Sequence, residues 1–332
     1  MTDQATQLAP VVFERIIDAT PDEAFALFTE PERLRRWKAV SAAVDLRVGG
    51  DYRLTVTPGH IACGTFTEIE PGRRVVYTWG WVGSDDLPPG ASTVVVDIEP
   101  AGDKTLVRVT HHGLSADQAV SHGAGWTHYL ERLGDMTAAG DAGLDPWAAG
   151  PDELDDLAAV EASWALCSHV MERFAPEHRE LPTPCADYTV HELVEHLVGS
   201  VRALGAMAGA EIPDDIDAGS AEDYVAQATE TALAAWRERG ADGEVPFGNG
   251  TAPATVPIGI LGIEFFVHAW DFARAIDEPF TAPVALTAFV TARAEEIIRP
   301  EARGEGKLFG AIATPAHDDP ITALMAFTGR AT

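Results

Sequence analysis

The chain is 332 residues long, with 46% apolar residues and a formal net charge of −29, a length that suits two domains of about 150 residues each. Residues 1–150 carry 12 basic and 21 acidic side chains, and residues 151–332 carry 11 and 31. A field of that sign repels phosphate backbones and anionic lipid, which excludes nucleic acid and membrane surfaces as expected partners.

Met1–Gln7 lacks the basic stretch and apolar core of a secretion signal. No run offers the ~20 uncharged apolar residues of a membrane span. Cys63, Cys167 and Cys185 are odd in number, far apart and without C-x-x-C spacing. Together these features predict a cytoplasmic protein without a disulfide framework.

In chain order, residues 11–18 read as a strand. Thr20 and Pro21 then open a helix over 22–29, and a short helix follows over 31–38. Strands are expected at 43–48, 51–57, 61–69, 73–82, 92–98 and 105–112. Gly49-Gly50, Pro71-Gly72 and Ala101-Gly102-Asp103 serve as turns. A helix from 115 to about 136 closes the unit. One long helix across a curved antiparallel sheet is an α+β solution that leaves a cavity between the layers.

Residues 139–152 are rich in small residues and turn formers and read as a linker. Beyond them the period becomes helical, with helices expected at about 151–175, 189–209, 220–239, 257–277 and 284–298, and a short one at 320–328. This half reads as a helix bundle.

The bundle holds the residues that carry chemistry. Within the apolar run 258–270, Glu264 and His268 lie four apart, one above the other on a face otherwise of Ile, Leu, Phe and Trp. A buried carboxylate is costly unless it is protonated, paired or bound to a metal, and no Lys or Arg lies within one turn. Thr189-Val-His-Glu192 is a capping box that sets the phase of the helix after it. Leu193, His196, Leu197 and Ser200 then share the inward face, whereas His191 points elsewhere and reads as exposed.

Singly, each of these has a plainer reading: a core histidine bonded to a carbonyl, or a buried Glu–His hydrogen bond. Together, His196, Glu264 and His268 suit a divalent metal. Zinc is the first expectation, and the set leaves a fourth position for water or substrate. Nickel and ferrous iron also accept these donors. Asp271 could orient His268 from behind, but the preferred reading is an i,i+3 pair with Arg274. Cys185 has nothing nearby that marks it as activated and reads as structural.

Tyr77, Trp79 and Trp81 alternate along one strand face, with His111 on another and with His122 and Trp126 on the closing helix. They are candidates for the wall of a ligand cavity, against the alternative of a filled core. No phosphate-binding glycine loop and no G-x-S-x-G elbow occurs.

Several ordered segments of the first half resemble the START-like (SRPBCC) superfamily, in the branch named after activators of the Hsp-ninety ATPase. They are Pro31 to Trp37, Asp45 to Tyr52, Gly64 to Pro71, and Thr110-His111 followed by Gly125-Trp126. The resemblance implies a helix-grip domain over residues 8–138, an antiparallel sheet wrapped on a long C-terminal helix, with a cavity for a hydrophobic ligand.

In the second half, Pro182 to Val190, Glu195 to Gly199, and Glu264-x-x-x-His268-Ala-Trp-Asp-Phe-Ala-Arg274 resemble the DinB/YfiT-like metalloenzymes, and especially the bundle domain of mycothiol-dependent maleylpyruvate isomerase. The terminal Ala326-Phe-Thr-Gly-Arg330 fits a related actinobacterial metal-binding family. The resemblance covers residues 153–332 and implies a DinB-like four-helix bundle holding a metal on His196, Glu264 and His268, where many relatives use three His. It also implies a thiol cosubstrate such as mycothiol in a transferase or isomerase. The isomerase carries a further C-terminal domain that contributes to its site, so maleylpyruvate isomerisation itself is not implied here.

The leading expectation is a metal-dependent, thiol-using enzyme acting on a small, partly apolar molecule. The alternatives are a non-catalytic small-molecule binder with a structural or vestigial metal and, more remotely, a stress-response regulator or chaperone-associated protein. The sequence assigns no catalytic residue and no oligomeric state.

Overall fold

The computed structural model describes residues 10–185, 188–304 and 309–332. The leader reading of Met1–Gln7, the expected domain start at residue 8, and Ala186 and Asp187 of the Pro182 motif lie outside the described residues. The chain forms two compact units, Met1–Asp145 and Pro146–Thr332.

The first unit opens with β1 (Val11–Ile17), α1 (Pro21–Thr29) and α2 (Pro31–Arg35). Glu23 N–H donates to Thr20 Oγ1 at 3.3 Å while the Glu23 carboxylate accepts from Thr20 N–H at 2.8 Å, a reciprocal cap that starts α1. Six strands follow: β2 (Ser41–Val44), β3 (Asp51–Thr57), β4 (His60–Glu70), β5 (Arg74–Trp79), β6 (Ser92–Ala101) and β7 (Lys104–His112). Then comes the long helix α3 (Ala116–Ala139). The seven strands form one antiparallel sheet in the order β1-β7-β6-β5-β4-β3-β2. Register shifts at Thr55/Thr57 and Phe66/Glu68 mark bulges, which bend and twist a sheet locally.

The core follows the period-two pattern of the strands. On β7, Val107, Val109 and His111 are buried and alternate with partly exposed Leu106, Arg108 and Thr110. Val94, Val96, Tyr77 and Trp79 continue that buried face, against Trp126, Tyr129, Leu130 and Leu133 of α3. Arg132 fastens the far end of α3, donating to the carbonyls of Trp37, Ala142 and Gly143.

Two strand limits differ from the sequence reading. The strand expected at 43–48 lies at Ser41–Val44, because residues 45–50 turn, with Arg47 N–H bonded to Asp45 O and Gly50 N–H to Arg47 O. β5 stops at Trp79 rather than continuing to 82. The next residue, Gly80, lies so close to Pro88 that a Cβ there would sit 1.9 Å from the Pro88 carbonyl oxygen. Trp81 consequently leaves the strand and makes only an isolated bridge to Ala62.

The second unit comprises α4 (Pro146–Ala149), α5 (Asp156–Met171), α6 (Val190–Ala206), α7 (Ala221–Arg239), β8 (Glu244–Phe247), β9 (Gly250–Pro253), α8 (Thr255–Ala275), α9 (Val284–Ile297) and α10 (Pro320–Phe327). The segment read as a linker therefore contains a helical turn, α4. Helix α8 is central, packed against α5, α6 and α9, while α7 closes the bundle against α5 and α6. Small residues permit close approach: Gly262 faces Val160 of α5, and Trp164 meets Phe265 with ring centroids 5.2 Å apart.

Although the sequence reading found no membrane span, α8 is long and apolar enough to cross one. Of its most apolar window 83% is buried inside the bundle, which is how the core helix of a folded domain reads.

The β8–β9 hairpin was not anticipated. Its two-residue loop places Gly248 at φ +56, the left-handed region a tight hairpin turn demands and glycine adopts without strain.

Candidate metal centre

The capping box predicted at Thr189 is present. Glu192 N–H donates to Thr189 Oγ1 at 3.3 Å, and the Glu192 carboxylate accepts from Thr189 N–H at 2.8 Å. That start fixes the rotation of α6 so that Leu193, Leu197 and Val201 are buried. His196 sits at the edge of the stripe, with about a third of its side chain accessible (32%). From α8 come Glu264 and His268, one turn apart and more enclosed.

His196 Nε2 lies 3.1 Å from Glu264 Oε2, and His268 Nε2 lies 3.5 Å from the same oxygen. One ligand atom from each of the three residues falls within 4.8 Å of the others. Two imidazole nitrogens converging with a carboxylate oxygen form a donor set that zinc, nickel or ferrous iron accepts. The residues present therefore fit a divalent cation.

Behind the three donors lies a second layer of contacts. His268 Nδ1 is 2.9 Å from Asp271 Oδ2, so that bond turns Nε2 toward Glu264. Asp271 is fully buried, and Arg330 balances its charge with Nη2 at 2.8 Å from Oδ2 and Nε at 3.3 Å from Oδ1. The i,i+3 pair of Asp271 with Arg274 preferred from the sequence is not the one formed. Asp271 turns inward to His268 and Arg330, and the Arg274 guanidinium lies over the Trp270 ring.

The electrostatics follow. Burial raises the pKa of Glu264, but the hydrogen bonds from His196 and His268 outweigh it and hold the carboxyl well below the usual range. Burial opposes charge on His268, yet the hydrogen bonds to Asp271 and Glu264 raise it to about 9. Asp271 is lowered: burial works against its charge, and its contacts with His268 and Arg330 prevail. Such a pocket holds one positive charge between two carboxylates, whether a proton or a metal ion.

The three residues open onto a cavity of about 760 Å³. Its wall is largely apolar, including Phe247, Ile260, Ile263, Val267, Ile298 and Phe309. Tyr188 stacks on the His196 ring at 5.2 Å between centroids. Cys185 also lines the cavity. Sequence reasoning missed Arg330, Tyr188 and Phe247 as parts of this site. The buried Asp271 was the available signal for Arg330, since an enclosed carboxylate calls for a cation from somewhere in the chain.

In the first unit the six cavity candidates form one continuous aromatic cluster. Tyr77, Trp79, His111 and Trp126 are buried, and Trp81 and His122 are half-buried at its rim. Trp126 Nε1 donates to His111 Nδ1 at 3.2 Å, which leaves His111 Nε2–H to face Ser92 Oγ at 2.9 Å. Trp81 Nε1 donates to His122 Nε2 at 3.1 Å. Burial, and then the neighbouring His122 and Lys38, push His111 down to about 3. Lys38, not singled out from the sequence, is buried in this cluster with Nζ 4.0 Å from the Trp126 ring centroid.

Comparison with known proteins assigns each unit. Residues 18–138 match the family described as activator of Hsp90 ATPase homolog 1-like protein. Residues 160–273 match the mycothiol maleylpyruvate isomerase N-terminal domain. Each unit thus contains one of the two matched domains. His196, Glu264, His268 and Asp271 fall inside the second match, and Arg330 falls outside it.

Among curated proteins, the uncharacterized proteins MT0763 and Rv0738 of Mycobacterium tuberculosis are each 32% identical over 183 residues, covering 53% of this chain and 98% of theirs. Among solved structures, the AHSA1-like protein RHE_CH02687 of Rhizobium etli is 40% identical, covering 45% of this chain and 96% of its own, with a TM-score of 0.36. CalU16 of Micromonospora echinospora is 31% identical, covering 39% and 76%, with a TM-score of 0.33. DynU16, a protein from the dynemicin biosynthetic locus, is 19% identical over 41% of this chain, with a TM-score of 0.37, and the chain spans about half of its length (49%).

Proposed function

We propose that the second unit binds one divalent metal ion, zinc in the first instance, on His196, Glu264 and His268, and that the protein is a thiol-using transferase or isomerase. The observation that carries this reading is the convergence of three ligand atoms within 4.8 Å at the wall of a largely apolar cavity. The match to a mycothiol-dependent isomerase domain supplies the class of cosubstrate. A bound divalent cation would keep a low-molecular-weight thiol deprotonated at neutral pH, and so nucleophilic.

The chain's own residues then have separate tasks. Asp271 holds the His268 ring with Nε2 facing the centre, and Arg330 holds Asp271. Tyr188 braces the His196 ring from one side. Phe247, Ile260, Ile263 and Val267 offer a partly apolar electrophile a surface that displaces water. The three free cysteines fit a reducing, cytoplasmic setting for such thiol chemistry.

Metal analysis of protein purified without chelator and without a nickel column tests the first part. The expected result is one equivalent of metal in the wild type and loss of most of it in His268→Ala. Equal metal content in the two proteins, or none in either, overturns the site. A thiol-consumption assay with mycothiol and chlorodinitrobenzene tests the chemistry separately. Turnover that disappears in His268→Ala supports it, and absence of turnover by metal-loaded protein favours a non-catalytic binder.

A further inference from the structure

Three arginines line the cavity in front of the proposed metal centre: Arg293, Arg299 and Arg330. Carboxylates engage two of them. Arg293 is held by Asp156 through Nε at 2.7 Å and Nη2 at 3.1 Å, and its Nη1 lies 2.6 Å from Glu296. Arg330 is held by Asp271. Arg299 differs: among the described residues its guanidinium makes no hydrogen bond and no ion pair. Its side chain does not cap the short helical turn Pro300–Ala302 that follows it. Sequence spacing offers it Glu296, but that carboxylate turns to Arg293.

The helix pair α8–α9 places this cation relative to the centre. Ile297, at the end of α9, packs on Gly259 of α8, where an added Cβ would lie 2.8 Å from Ile297 Cδ1. Glu264 stands five residues further along α8, a rise of about 7.5 Å, and His268 one turn beyond that. Arg299 follows Ile297 by two residues, and so enters the cavity from its Gly259 end. Ile260 and Ile263 line the stretch of α8 between the cation and the centre.

We propose that Arg299 sets the substrate specificity of this cavity by pairing with a carboxylate, carried by an apolar electrophile at the end opposite its reacting carbon. The proposal rests on the thiol-using reading of the centre. Residues 151–332 carry 31 acidic and 11 basic side chains, so the field of this half repels anions at long range. An anionic substrate therefore needs a local cation, and Arg299 is the lining arginine with its donors still open. Its planar fork matches a carboxylate through two parallel hydrogen bonds, a geometry that a lysine lacks. The apolar wall between suits the body of such a ligand. In the transfer, the thiol sulfur bonds to the electrophilic carbon and the bond to the leaving group breaks. The electron pair departs with that group, and the thiol proton passes to solvent.

Binding is read first, by calorimetry of the full-length protein with zinc and mycothiol present. The probes are 3,5-dinitrobenzoate and its uncharged amide, which lack a leaving group. The wild type is expected to prefer the acid by about tenfold. Arg299→Met is expected to lose that preference, and Arg299→Lys to keep part of it. Arg274→Met, which removes a guanidinium lying over Trp270 and outside the cavity, is expected to keep the wild-type ratio. Turnover is read next, with the 4-chloro acid and the 4-chloro amide, from which mycothiol displaces chloride. The acid-to-amide ratio of kcat/KM is expected to fall about tenfold in Arg299→Met, a comparison in which the intrinsic reactivities cancel. Equal binding of acid and amide by the wild type overturns the proposal. So does an acid preference that persists in Arg299→Met, the result expected if the carboxylate ligates the metal instead. An Arg299-dependent preference in binding without turnover by the wild type sinks the transferase reading and upholds the carboxylate subsite.

Discussion

Asp271 is the residue on which the proposed metal centre turns, because it is not itself a proposed ligand yet fixes the imidazole of one and is itself fixed by Arg330. Asp271→Asn keeps the shape but removes the charge, and weakens metal affinity by about 10–100-fold. It also strands a buried guanidinium, at a cost of about 3–5 kcal/mol. Arg330→Met in the same chain removes that stranded charge, so the double variant recovers much of the stability while its metal affinity stays low. Urea unfolding and chelator competition read the two effects apart. Recovery of affinity together with stability in the double variant would count against the orienting role. The bond of Asp271 to His268 is among the sequence readings, but its pairing with Arg330 was not legible in the sequence. Arg274 is three residues away and Arg330 is 59, and helix spacing favours the near partner. Burial decided otherwise, since Asp271 points into the bundle, where Arg330 lies.

At the scale of elements, α6 carries two glycines whose surroundings demand opposite outcomes. A Cβ at Gly199 meets nothing within 4 Å, whereas a Cβ at Gly205 would lie 2.9 Å from the Ala232 Cβ of α7. Gly199→Ala therefore stabilises the protein by about 0.5–1 kcal/mol through helix propensity. Gly205→Ala forces α6 off α7 and destabilises it by about 1–3 kcal/mol. Thermal or urea unfolding of the two variants checks both signs. The helices themselves were largely legible because their signals are local: the caps at Thr20 and Thr189 stand where the sequence reading put them. The β8–β9 hairpin escaped because its strands are four residues long and carry Pro246 and Pro253, which dilute any strand pattern. Gly248-Asn249 was its one clear turn signal.

For the whole molecule, the division into two compact units separates the proposed metal site from the aromatic interior. All three proposed metal ligands belong to the unit from Pro146 onward, and Lys38 with its tryptophans belongs to the unit ending at Asp145. A ligand that binds only the folded form raises stability by about 4 kcal/mol at a thousandfold excess over its Kd. Calorimetry of the full chain is thus expected to show two transitions, of which zinc raises one and leaves the other unchanged. A single transition raised by zinc would reveal coupling between the units. The two-part architecture was readable from the change of hydrophobic period near residue 140. The aromatic members of the first unit's interior were legible too, but Lys38 was not, because in a short, charged helical segment it reads as a surface residue until Trp79 and Trp126 are brought over it.

The centre is also assembled from remote pieces of chain: 68 residues separate His196 from Glu264, and 59 separate Asp271 from Arg330. Of the three proposed ligands, only Glu264 and His268 are sequence neighbours on the scale of a helical turn. A nascent or unfolded chain therefore displays no chelating motif comparable to paired cysteines, and has little with which to capture a stray ion prematurely. At the proposed site, ion discrimination would belong to the finished tertiary structure, and a metal would be chosen after folding, from whatever the compartment then supplies.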